Sequence, residues 1–388
     1  MLEKRIYLDH NATTRLHPSV RDEMFLSMDV FVNPSSVHSY GQEARRLVDL
    51  ARQRVAKLIG ATPDEIIFTS GGTEACNLAI MGIADASDVR RRHIITTSVE
   101  HQAVLNTCRF LENRGFRITY LSVDSNGLLD PSDVEREINE DSSLITIMLA
   151  NNEVGTIQPV AEIAAIAKSK GILVHTDAVQ AVGKIPINVK NLGIDLLSIS
   201  AHKVGGPKGI GALSMRCGVR LTPLLKGGHQ EHGLRAGTEN VPGIVGFGKA
   251  CDLTMAHQDE WRETVRVLRD RFERDVLNQI PGTQINGHPT QRIPNTSNLS
   301  FPGVNGEYLT MNLDLAGVAV STGAACSSTD NEPSHVLLAM GKNAEEARNS
   351  LRFSFGIDTT SEEMDRVVEH LRYIVGQLRR TGRSQEKP

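Results

Sequence analysis

Leu196-Leu197-Ser198-Ile199-Ser200-Ala201-His202-Lys203-Val204-Gly205-Gly206-Pro207-Lys208-Gly209 is an apolar run that ends in a lysine and a glycine-rich turn. Runs of the same kind occur at Ile66 to Thr69, His93 to Thr97, Arg117 to Val123, Leu144 to Ala150 and Ile172 to His175, with helical segments between most of them. Strands alternating with helices predict parallel pairing through crossover connections, and hence an α/β sheet covered on both faces. Ala44, Leu47, Val48, Ala51, Val55, Leu58 and Ile59 form one apolar stripe at helical spacing, and the helix they predict stops at Gly60.

Working outward, this pattern holds from residue 42 to about 217. Beyond about residue 240 the texture changes to a long charged helical segment, Asp259 to Gln279, suited to running between two domains. A smaller unit follows, with strands near Asn295 to Phe301, Val318 to Ser321 and Leu351 to Phe355. Its helices fall at Gly306 to Leu315 and Ser361 to Leu378. The polar tail Arg379 to Pro388 is expected to fray. A chain of 388 residues has room for one large or two ordinary domains. Lys and Arg number 42 against 46 Asp and Glu, a net charge of −4 with neither sign concentrated. Nucleic acid and anionic membrane are therefore not expected partners. No apolar run approaches the length of a spanning helix, the start lacks a signal-peptide core, and the expected location is cytoplasmic. The five cysteines, Cys76, Cys108, Cys217, Cys251 and Cys326, show no paired or zinc-ligand spacing. They are expected to be reduced, and no metal site is expected.

In open α/β sheets, ligands bind beyond the carboxyl ends of the strands. Four places there can carry chemistry. In Thr69-Ser70-Gly71-Gly72-Thr73-Glu74, two glycines and a helix start near Thr73 make a seat for a phosphate; the plain alternative is an ordinary capped turn. Asp177 ends a strand and is either a functional carboxylate or a helix N-cap. Lys203 is either a surface charge or a desolvated amine able to form a Schiff base. Cys326 lies in a polar, small-residue loop, unlike a structural buried thiol. Together with His101, these features match what pyridoxal 5′-phosphate needs: an amine for its aldehyde, an acid opposite its ring nitrogen, donors for its phosphate and a flat partner for its face.

The chain resembles the cysteine desulfurases of the NifS/IscS group, within the fold-type-I pyridoxal-phosphate enzymes. The resemblance runs nearly end to end. It includes Tyr7-Leu8-Asp9-His10-Asn11-Ala12-Thr13-Thr14, Val99-Glu100-His101, Asn151-Asn152-Glu153, Thr176-Asp177-Ala178-Val179-Gln180, Ser200-Ala201-His202-Lys203, Arg235-Ala236-Gly237-Thr238-Glu239-Asn240 and Leu351-Arg352-Phe353-Ser354. It implies a large cofactor-binding domain over residues 14–258 with a mainly parallel mixed sheet between helices. Residues 1–13 and 259–388 would form a smaller α+β domain carrying a mobile Cys326 loop.

The resemblance further implies that Lys203 holds the cofactor, Asp177 pairs with the ring nitrogen, Gln180 and Asn152 sit near the phenolic oxygen, and His101 stacks on the ring. Gly72, Thr73, Ser200 and His202 would take the phosphate, joined by Thr238 from the second subunit of a homodimer. Arg352, with Asn152, would take the carboxylate of L-cysteine. Lys203 would then remove the Cα proton, and His101 would accept the thiol proton. Cys326 would attack the substrate sulfur, leaving alanine and a persulfide for a U-type iron–sulfur scaffold protein or another acceptor, whose cluster Cys326 would ligate in passing. Rival readings are a selenocysteine lyase or an aminotransferase on the same fold, or a sulfur-carrier or scaffold-binding protein without turnover. The chain departs from the group's pattern at Ala75-Cys76, where a small polar pair is usual, and at Thr329-Asp330-Asn331, where a Gly-containing stretch is expected.

Overall fold

The structure is a computed structural model that describes residues 5–322 and 332–385. Its strands are β1 (Ile6–Tyr7), β2 (Ile66–Thr69), β3 (His93–Thr97), β4 (Arg117–Leu121), β5 (Ser142–Thr146), β6 (Leu173–Asp177), β7 (Leu196–Ser200), β8 (Gly211–Met215), β9 (Gln284–Asn286), β10 (Thr296–Ser300), β11 (Val318–Ala319) and β12 (Ser350–Ser354). Seven of them form one sheet in the order β2-β8-β7-β6-β5-β3-β4. β4, β3, β5, β6 and β7 are parallel, and β8 is antiparallel to both its neighbours. The expected mixed α/β sheet is thus observed. β8 itself was not anticipated: its residues, Gly-Ala-Leu-Ser-Met, lack β-branched character. The link from Ser200 to Gly211 is too short for a helical crossover, which leaves antiparallel pairing as the only way back into the sheet.

Apart from the edge strand β4, the strands of this sheet are buried on both sides because consecutive apolar residues face opposite ways. Phe68, Ile95, Ile145 and Leu197 enter one core with Val48, Val55 and Phe247. Ile67, Ile94, Leu144 and Leu196 enter the other with Leu78, Ile80 and Val104. A further core gathers Ile6, Leu8, Phe272, Phe301, Phe353, Phe355, Val367 and Leu371 around the antiparallel sheet β12-β10-β9. In it, the Phe272 ring lies 5.1 Å from that of Phe353 and 5.5 Å from that of Phe355.

The helix expected from Asp259 instead runs unbroken from Val241 to Gln279. Its first turns contain Pro242, Gly243, Gly246 and Gly248, which mask the helical signal because glycine is a poor helix former. Packing explains them. A Cβ on Gly246 would come within 2.6 Å of the Met24 side chain, and one on Gly248 within 2.7 Å of the Ala51 backbone. The same helix supplies Ile244 and Phe247 to one core and Leu268, Phe272 and Val276 to another, so it couples them mechanically. The C-terminal segment also differs from expectation. The helix Ser361–Gln385 continues past Leu378, and Arg379 donates to the carbonyls of Pro281 and Pro302 at 2.8 and 3.1 Å. Among the described residues, no helix is long and apolar enough to cross a membrane.

The helix Ser39–Ile59 carries Arg52, which forms a buried fork with Glu231 at 2.6 and 2.8 Å. Glu231 also accepts from the Phe68 amide at 2.8 Å, at a turn where Glu231 and His232 have positive φ. This pair anchors the segment carrying Arg235 and Thr238 to the back of β2. Replacing Glu231 by Ala strands a buried guanidinium and should cost about 3 kcal/mol in denaturant unfolding. Asp49→Ala, which breaks only the exposed Arg45 pair, should cost less than about 1 kcal/mol.

Candidate active site

The helix Gly72–Ala86 starts directly after β2, and its N-cap, Gly71, offers no side-chain cap. Its first amide groups are thus available to an anion. A Cβ on Gly72 would lie 2.6 Å from the Val179 side chain and 3.5 Å from Ser200 Cβ, so only glycine lets this helix start pass so close to the ends of β6 and β7. Thr73 is exposed, Ser200 is buried, and His202 Nδ1 lies 3.1 Å from the Thr13 hydroxyl. Burial, then the Lys203 and Lys208 charges, push the His202 pKa down to about 4. A neutral imidazole, two hydroxyls and open amides form a donor set that suits a phosphate. Ser70 N donates to Glu74 at 2.7 Å, and Arg235 pairs with Glu74 at 2.9 Å, which ties the Thr238 segment to the same turn.

Asp177 and Lys203 are brought together by the pairing of β6 with β7. Asp177 begins no regular helix; its carboxylate accepts the Val179 amide at 2.9 Å and a hydrogen bond from the Cys76 thiol. Burial pushes its pKa up, opposed by the charges of His101 and Lys203. Such a carboxylate, at 6% exposure, favours a cationic group held against it. Lys203 sits in the turn Ala201–Lys203 and donates to the carbonyls of Asn11 and Ala12 at 2.5 and 2.8 Å. Gln180 Nε2 donates to that same Asn11 carbonyl at 2.8 Å.

His101 caps the helix Gln102–Glu112, its Nδ1 accepting from the Ala103 amide at 3.1 Å. That bond places the neutral ring's proton on Nε2. Glu100 beneath it is fully buried; it accepts from Thr97 and from the Met148 amide, both at 2.8 Å, while Oε2 has no hydrogen-bond partner. Burial drives its pKa up to about 8.

Arg352, on β12, is 3% exposed and donates to the Asn152 carbonyl at 2.9 Å and to Asp9 at 2.7 Å, leaving Nε without a partner. Asn152 is half-buried, and Thr238 is exposed, lining a cavity of about 280 Å³ with Ser70, Gly209 and Arg235. Cys326 lies outside the described residues. The chain on either side of its segment is held at the site: Ser321 bridges to Arg352, Ser334 Oγ donates to Glu153 at 2.5 Å, and His335 Nε2 lies 2.9 Å from the Glu100 carbonyl. The structure also brings in residues that sequence reasoning assigned no role, namely Asp9, Asn11, Glu100 and Lys184. Asp9 and Asn11 stand in a quoted motif, and Glu100 adjoins His101. Nothing local marks Lys184.

An aminotransferase class-V model matches residues 6–367. The chain belongs to the aminotransferase class-V family. It is 51% identical over 380 residues to cysteine desulfurase IscS of Dictyoglomus turgidum, covering 97% of this chain and 96% of that protein. A solved NifS-like protein superposes with a TM-score of 0.91 at 40% identity, covering 96% of this chain and all of that one. SspA, solved in complex with cysteine, superposes with a TM-score of 0.80 at 38% identity, covering 90% and 98%. Within the family, the chain groups with the NifS/IscS cysteine desulfurases, whose fold-type-I architecture is the one observed.

Glu100 yields a pH prediction. Its folded pKa of about 8 exceeds the unfolded value, so its contribution is fully present below about pH 4.3 and lost as pH rises through 8. Between about pH 5 and 8 the parent should lose stability relative to Glu100→Gln by on the order of 1 kcal/mol per pH unit. Denaturant unfolding of both proteins across that range reads the difference; parallel curves would contradict a buried, protonated Glu100.

Proposed function

We propose that the chain is a pyridoxal-phosphate-dependent cysteine desulfurase that takes sulfur from L-cysteine, leaves L-alanine and carries the sulfur as a persulfide on Cys326. The observation that carries this reading is the pairing of a desolvated carboxylate, Asp177, with an amine, Lys203, at the ends of neighbouring strands, beside an uncapped helix start. Lys203 would hold the cofactor's aldehyde, and Asp177 would face the ring nitrogen. His101 would cover the ring, with Gln180 and Asn152 near the phenolic oxygen. Gly72, Thr73, Ser200 and His202 would seat the phosphate, completed in a homodimer by Thr238 of the partner subunit. Bound there, the group supplies an electron sink for the electrons left when the Cα–H bond breaks.

The remaining steps fall to the chain's own side chains. Arg352 has the unpaired Nε–H and the charge to take the substrate carboxylate. Lys203 would be the base that takes the Cα proton. Burial raises the Asp177 pKa, and a cation facing it favours its ionised form. His101 presents Nε2–H first, and it accepts a thiol proton at Nδ1 only after releasing the Ala103 amide. Cys326 thiolate then attacks the substrate sulfur: the S–S bond forms, the C–S bond breaks, and its electron pair stays with the carbon skeleton that becomes alanine. The holds at Arg352 and Glu100, on either side of the Cys326 segment, support delivery of the thiol to this site. In the same reading, the protein is cytoplasmic, residues 14–258 form the large domain and residues 1–13 and 259–388 the small one, and the acceptor is a U-type iron–sulfur scaffold protein or another sulfur acceptor.

Incubation with L-cysteine and dithiothreitol should release sulfide and alanine in equal amounts, and borohydride should fix the cofactor on Lys203. A label on Lys208 or Lys226, or alanine without sulfide, would overturn the reading. Cys326→Ala should keep the cofactor and its colour change with L-cysteine while sulfide release falls by about two orders of magnitude or more. Release at the parent rate would point instead to direct elimination by a lyase.

A further inference from the structure

Lys184 is a buried amine to which the chemistry above gives no task. It is 3% exposed and lies four residues after Gln180, on the helical turns that follow Asp177. Its Nζ donates to Gln180 Oε1 at 2.6 Å and to Asn11 Oδ1 at 2.9 Å. Burial, then the charges of Lys203 and Arg352, hold its proton affinity well below that of an ordinary lysine. Two acceptors meet its N–H groups. Desolvating an amine is costly, and a methionine or leucine would fill the same space without that penalty, so packing alone does not account for a lysine.

Both acceptors lead to Lys203. The Gln180 amide can face either way; with Oε1 turned to Lys184, its Nε2 faces the Asn11 carbonyl at 2.8 Å. The Asn11 side chain is oriented in the same way, Oδ1 accepting from Lys184 and from Asn295 at 3.1 Å while Nδ2 donates to Thr296 and Asn152. The carbonyl fixed by these contacts is the one that takes Lys203 Nζ at 2.5 Å. We propose that Lys184 is a positioning residue for Lys203: its amine locks Asn11 and Gln180 in the orientations that keep the Asn11 carbonyl against the Lys203 nitrogen. This rests on the reading of Lys203 as the cofactor-bearing amine.

The carbonyl contacts favour the protonated form of Lys203, so loosening them should let it lose its proton at lower pH. The other titratable groups facing the two amines are Arg352 on β12, Asp177 on β6, His202 beside Lys203, and His10 on the N-terminal segment with Asp358 3.8 Å from it. Of these, His10 also feels the Lys184 charge, which lowers it, but an imidazole is neutral in the alkaline range where a lysine titrates, so a fall at Lys203 reports on the lock.

The test is trace acetylation of the full-length chain, stripped of cofactor, across a pH series, with the Lys203 peptide read by mass spectrometry. Lys184→Met should lower the Lys203 midpoint by about one pH unit. Lys184→Gln, which keeps an N–H₂ donor, should shift it less, and adding Gln180→Leu to Lys184→Met should add little because both act through one carbonyl. A midpoint within about 0.2 unit of the parent overturns the proposal. So does a rise, which would mean that Lys184 had acted as a repelling charge. If Lys184→Met does not fold, Lys184→Gln decides, a fall supporting the proposal and an unmoved or raised midpoint overturning it. Borohydride trapping of pyridoxal phosphate on the parent separates the two claims: a label away from Lys203 sinks the functional reading, whereas a label on Lys203 with an unmoved midpoint sinks only the role of Lys184.

Discussion

The Asn11 carbonyl accepts Lys203 Nζ at 2.5 Å and Gln180 Nε2 at 2.8 Å, while its amide donates to Ser354 Oγ at 2.9 Å and its side chain reaches Thr296, Asn295 and Lys184. Ser354, Thr296 and Asn295 belong to β12, β10 and the chain just before β10; Gln180, Lys184 and Lys203 follow the ends of β6 and β7. One residue thereby joins the antiparallel sheet to the seven-stranded sheet at the candidate site. Leu8, three residues earlier, is locked into the core of the antiparallel sheet, and Thr13 and Thr14, just after, bind His202 and its carbonyl. The N-terminal segment therefore acts as a strap whose position depends on both bodies, and a shift between them would reach Lys203 first.

The electrostatics of the site follow from the same closure. Asp177, Glu100, Lys184 and His202 all have their proton affinities moved toward the neutral form, and in each case burial is the largest cause. Arg352 is held against Asp9, and Lys203 against two carbonyls. A cationic ring placed against Asp177 would give its buried carboxylate a partner, and a carboxylate placed against Arg352 would meet the Nε–H that the Asp9 and Asn152 contacts leave open. Recognition and catalysis then draw on one source, since ionic groups bind most strongly where the alternative is desolvation without compensation.

Period and punctuation in the sequence located β2, β3, β4, β6, β7, the helix ending at Ile59 and the helix Gly306–Leu315, because apolar alternation and glycine stops are local signals. The residues at the strand ends could be named for the same reason: position after a strand is readable along the chain, and the motif resemblance then implied a role for each. What escaped was set by contacts distant in sequence. β8 is a strand because a short turn leaves it nowhere else to pair. The glycines that hide the first turns of the helix Val241–Gln279 are required by the close approach of Met24 and Ala51.

The sequence by itself determined the α/β class, the family motifs and the candidate site residues at the strand ends, since each depends on residue type and spacing over a few positions. Only the tertiary structure decided that Asn11 and Lys184 belong with Lys203. Those three residues lie up to 192 positions apart, and a buried amine is distinguished from a solvated one by the water it has lost, which no local pattern records.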